Sequence, residues 1–61
     1  MHRMTRTKAQ YKALYAKLDA EHKARTKAYY EEMYRNAIFP ETLDLAEKIL
    51  LAIREYEDER R

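Results

Sequence analysis

From residue 4 to residue 33 the apolar positions recur at helical spacing, and neither glycine nor proline interrupts them. Met4, Tyr11, Tyr15, Leu18, His22, Tyr29 and Met33 are separated by steps of three, four, seven or their sums, which places them on one helix face. Ala9, Ala13, Ala16, Ala20 and Ala24 fall about half a turn away. A helix with an aromatic seam on one side and small residues on the other expects two neighbours. The repeat Tyr11, His22, Met33 fits a nearly straight packing better than a sustained left-handed coiled coil. The pattern therefore predicts one long helix over about 4–36, with Thr5 or Thr7 available to cap a slightly later start. Its weakest stretch is 21–27, where only Ala24 is apolar and Thr26 offers a cap. A break there would give three short helices, but Glu, Lys, Ala and Arg favour α geometry throughout it.

The apolar density peaks at Tyr29, Tyr30, Met33, Tyr34, Ala37, Ile38 and Phe39 and stops at Pro40, the single proline. Proline disfavours α geometry at the residue before it and suits the first turn of a new helix. Asn36 is placed to end the old helix in a left-handed conformation. The turn is thus expected near 36–40, with Ile38 and Phe39 folded inward to plug the end. A second helix follows over about 41–60, with Glu41 and Asp44 near its positive end and Arg60 and Arg61 near its negative end. Ala46, Ile49, Leu50, Ile53 and Tyr56 form its main apolar face, flanked by Leu45, Ala52 and Leu43, while Leu51 lies off it. An arc that broad touches more than one helix.

At 1.5 Å per residue the first helix would be roughly 50 Å long and the second roughly 30 Å. In an antiparallel hairpin the first overhangs and leaves Tyr11 and Tyr15 uncovered. Antiparallel pairing of two copies would cover them. The expected fold is therefore all-α: one domain over 1–61, an antiparallel two-helix hairpin, dimerising into a four-helix bundle through Tyr11, Tyr15, Leu18 and His22.

Composition narrows the class. With 61 residues and no cysteine, the chain has no disulfide framework or thiolate site to support a small core. The absence of cysteine, of a signal-like apolar stretch and of any span-length apolar run leads to the expectation of a cytoplasmic protein without a membrane partner. The net charge is only +2, but it is unevenly spread. Residues 1–29 carry eight basic and two acidic side chains, a balance of +6, and residues 30–61 carry five and nine, a balance of −4.

Candidate chemistry is sparse. His22 has acidic neighbours but no second histidine or cysteine three or four residues away, so no metal, cofactor or catalytic residue is assigned. The chain has no glycine, hence no phosphate-binding loop. Six tyrosines are more informative, since tyrosine combines apolar area with a polar tip. Tyr30, Tyr34 and Leu51 lie off the main seams and are candidates for contact with a partner. Arg3, Arg6, Lys8 and Lys12 are candidates for nucleic-acid binding, although folding would bring the acidic segment 55–59 beside them. No helix-turn-helix glycine turn or ribbon-helix-helix strand is present. The expected function is a small non-enzymatic protein-interaction module, regulatory, inhibitor or adaptor in type, acting as a homodimer on an unidentified protein. The alternative is a nucleic-acid-binding regulator using the basic N-terminal helix. A purely structural assembly subunit is a third.

Overall fold

The computed structural model describes residues 6–61 and contains three helices, α1 (Lys8–Ala16), α2 (Ala20–Asn36) and α3 (Pro40–Glu59), with no strand among the described residues. The all-helical expectation is met, but the long first helix is not continuous. It is broken at 17–19, so the chain forms three helices instead of a two-helix hairpin. Its longest dimension is 34 Å, well short of a 50 Å rod.

Local capping explains both starts. Thr7 sits in extended geometry and accepts a hydrogen bond from the Gln10 N–H, while the Gln10 side chain accepts from the Thr7 N–H at 2.8 Å, a reciprocal capping box. The helix therefore begins at Lys8; Met4 and Thr5 lie outside the described residues. At the break, the N–H groups of Lys17 and Leu18 tighten onto the carbonyls of Leu14 and Tyr15, ending α1. Asp19 then turns extended, and its carboxylate accepts the His22 N–H at 2.8 Å, starting α2. Thr26, the cap considered for a break at 21–27, lies inside α2.

The second turn matches its proline signal. Pro40 opens α3, Phe39 is extended with ψ of 143°, and α2 ends at Asn36. Asn36 is not left-handed, however, because no residue in the described chain has positive φ. Ala37 leaves α2 directly into extended geometry.

α3 is the hub. It packs along both α1 and α2, which touch each other little. The Arg6 carbonyl accepts from Lys48 while Lys12 reaches Glu59, so α1 runs alongside α3 in the same direction. α2 returns the opposite way: Lys27 meets Glu57, and Tyr34 shares a groove with Leu51. Among the described residues six are buried; Ala46, Ile49, Ala52, Ile53 and Tyr56 are on α3, and the sixth is Tyr15. The spacing had marked all five, and the breadth of their arc is answered by two helices of the same chain. Tyr11, Leu18, Tyr30, Leu45 and Leu50 pack around this centre.

The break also shifts the helical phase. A continuous helix would turn His22 and Tyr29 inward, but α2 instead presents Lys23, Thr26, Lys27, Tyr30 and Met33 as its less exposed positions. His22 and Tyr29 are left outside.

Asp19 provides a direct test of the break. Its carboxyl is held below the usual carboxylate range, first by the His22 backbone N–H and then by the His22 side chain. A carboxyl whose pKa is depressed by folding contributes stability above its unfolded value, and loses it as pH falls through the folded one. Asp19→Ala is expected to lower the thermal midpoint at neutral pH, and Asp19→Asn, which keeps a capping oxygen, to lower it less. The difference between wild type and Asp19→Ala should shrink below about pH 4. A difference independent of pH in circular-dichroism melts would show that the cap does not form.

Candidate functional site

The basic segment is the first candidate, and Lys8, Lys12, Arg25 and Lys27 within it are ion-paired inside the chain. Glu55 lies 3.0 Å from both Lys8 and Lys12, and Lys12 also meets Glu59 at 2.7 Å. Hydrogen bonds from Lys8 and Lys12 hold the Glu55 carboxyl below its ordinary range, while those from Lys12 to Glu59 and Glu55 raise the Lys12 ammonium above its own. Lys27 is raised in the same way by Glu57 at 3.2 Å. Of the nucleic-acid candidates, Arg6 is exposed and Arg3 lies outside the described residues. Lys8 and Lys12 instead fasten α1 to α3. Exposed pairs of this kind add little stability, but they lower the charge available to phosphates.

The expected dimer seam is mostly used inside the fold. Tyr15, at 6% exposure, packs edge-on against Tyr56 with ring centroids 5.4 Å apart, and its hydroxyl donates to the Lys23 carbonyl at 3.2 Å. Burial pushes its phenol pKa up. Tyr11 and Leu18 pack on the same cluster. His22 is exposed, with Nδ1 2.8 Å from Asp19. The overhang that called for a second copy at these residues is removed by α1 folding back onto α3.

Lys23 and Tyr56 were not foreseen as partners. The Lys23 ammonium donates to the Tyr56 hydroxyl at 2.8 Å. Its 4.8 Å distance from the ring centroid follows from that bond, which holds it at the rim of the ring rather than over the face. Arg60 lies 4.9 Å from the same centroid. Among the described residues no group of three or more His, Cys, Asp or Glu side chains is placed to hold a metal ion. No described helix is long and apolar enough to cross a membrane.

Two surfaces remain. The first is an open groove of about 730 Å³ between α2 and α3, on which Tyr34 and Leu51 lie 43% and 45% exposed. Its edges carry both signs, with Lys27 and Arg54 among the bases and Glu31 and Glu47 among the acids. Tyr30, the third partner candidate, is not on it: it packs toward the core, and burial raises its phenol. The second surface is the α2–α3 corner, where Tyr29, Met33, Ala37, Ile38, Phe39 and Thr42 line a shallow concavity of about 370 Å³. Ile38 is 85% exposed, Phe39 65% and Tyr29 60%. The expectation that Ile38 and Phe39 plug the end of the molecule is overturned. Of the three residues that link α2 to α3, only Ala37 is half-buried; Ile38 and Phe39 both face outward.

Comparison of the chain with protein families, with curated proteins and with solved structures returned no match.

Proposed function

We propose that the chain is a small non-enzymatic protein-interaction module of regulatory, inhibitor or adaptor type, which acts as a homodimer and takes its partner in the α2–α3 groove. The observation that carries this reading is the placement of Tyr34 and Leu51, from different helices, on the same open groove. A groove between two helices with tyrosine and leucine anchors and edges of both signs fits an amphipathic helical segment, whose apolar ridge enters while its charges pair outside. Nucleic-acid binding has less support, because Lys8 and Lys12 are paired with Glu55 and Glu59.

Affinity capture from cells that make the protein, with and without nuclease, tests the reading. A protein should remain bound after nuclease, be lost with Tyr34→Ala combined with Leu51→Ala, and be kept when Arg6 and Lys8 are neutralised. The groove residues are exposed, so their replacement should change stability by no more than about 0.5 kcal/mol each. Recovery of nucleic acid alone, abolished by neutralising the basic residues, would transfer the assignment to the nucleic-acid regulator.

A further inference from the structure

We propose that the α2–α3 corner is the surface through which two copies of this chain pair, about a two-fold axis near Ile38 and Phe39. The inference rests on the homodimer part of the proposed function and assigns it to residues that the sequence had placed inside.

Three observations converge on a second copy as the occupant. The first is area. Ile38, Phe39 and Tyr29, at 85%, 65% and 60% exposure, leave on the order of 400 Å² of largely apolar surface in one place, the size at which a monomer's largest patch is often functional. A two-fold contact buries it on both copies, about 800 Å² in total before Met33, Ala37 and the polar rim are counted, against the ~1,200 Å² at which stable interfaces begin.

The second is shape. Ile38 and Phe39, both well exposed, form one wall of the concavity that Tyr29, Met33 and Thr42 complete. A symmetric interface needs knob and hollow on the same patch, because each copy must offer what the other receives. The third is charge. Glu32 lines the corner, and exposed Arg35 and Glu41 flank it in the chain. Among the described residues none of the three has an ion-pair partner in its own chain. Having both signs at the rim lets Arg35 of one copy meet an acid of the other.

Sedimentation equilibrium from low micromolar to millimolar concentration tests the assignment. The wild type should pass from monomer to dimer across that range. Phe39→Glu should raise the dimer dissociation constant at least about tenfold while far-UV circular dichroism stays unchanged, since Phe39 supports no core contact. Tyr34→Glu, in the groove, should leave dimerisation as in the wild type. The chain has no cysteine, so Ile38→Cys introduces a single thiol. It should oxidise to a covalent dimer much faster than Ala13→Cys, whose site is exposed on α1. A wild type that is monomeric at millimolar concentration, a Phe39→Glu variant that dimerises normally, or equal cross-linking at the two cysteines would each overturn the proposal. A monomer that still captures a protein after nuclease overturns the corner pairing and the homodimer part of the proposed function, and leaves the groove reading standing. A corner-paired dimer that captures none overturns only the groove reading.

Discussion

Ile53→Ala is expected to remove a large part of the chain's folding stability. Ile53 is 1% exposed, the most buried large side chain, and it sits where α3 receives its neighbours. Truncating a buried isoleucine costs about 2–5 kcal/mol through lost transfer energy and the cavity left behind. A chain of 61 residues has in total about 3–9 kcal/mol, at ~0.05–0.15 kcal/mol per residue. The loss is thus about half of the whole. Urea titration followed by circular dichroism should show a curtailed folded baseline, and Leu51→Ala, on the outer side of the same helix, should unfold almost as the wild type does.

Tyr15→Ala is the second large effect, expected at about 3 kcal/mol from the loss of a buried aromatic side chain. It distinguishes two arrangements of the first half of the chain. Where Tyr15 lies between copies, its removal dissociates a dimer and the deficit falls at high concentration. Where it packs on Ile49, Ile53 and Tyr56 of its own chain, the deficit relative to wild type stays the same at low micromolar and millimolar concentration. The second outcome is expected. Tyr15→Phe keeps the edge contact with Tyr56 and removes only the bond to the Lys23 carbonyl, so its cost should be about 0.5–1.5 kcal/mol.

These residues mark how far the sequence could be read. α3 was legible almost to its ends, because Pro40 fixes its start and Ala46, Ile49, Ile53 and Tyr56 repeat at helical spacing along one face. The break at 17–19 was not. Lys17, Leu18, Asp19 and Ala20 include neither glycine nor proline, and an aspartate that caps a helix looks in sequence like any solvated acid. The available hint was Asp19 followed by Glu21, a cap residue with an acid in the first turn. What decides in favour of the break is tertiary: only a chain that turns there lays Tyr15 against α3. Once the phase had moved, Tyr30 exchanged roles with Tyr29, and Lys23 with His22. Tyr34 and Leu51 were legible as outward residues, but their meeting across a groove required the antiparallel register of α2 and α3. Ile38 and Phe39 were misjudged because hydrophobicity alone does not tell which way a three-residue extended link displays its side chains.

The dependence of both other helices on α3 bears on how the protein is made. Translation delivers α1 and α2 first, at about 5–20 residues per second. Each emerges before the surface it rests on exists, and the two have little contact with each other to hold them meanwhile. Tyr15, Leu18 and Tyr30 remain wet until Ile49, Ile53 and Tyr56 arrive. The nascent chain therefore carries these side chains uncommitted until α3 has emerged, and the packing of all three helices is acquired together at that point.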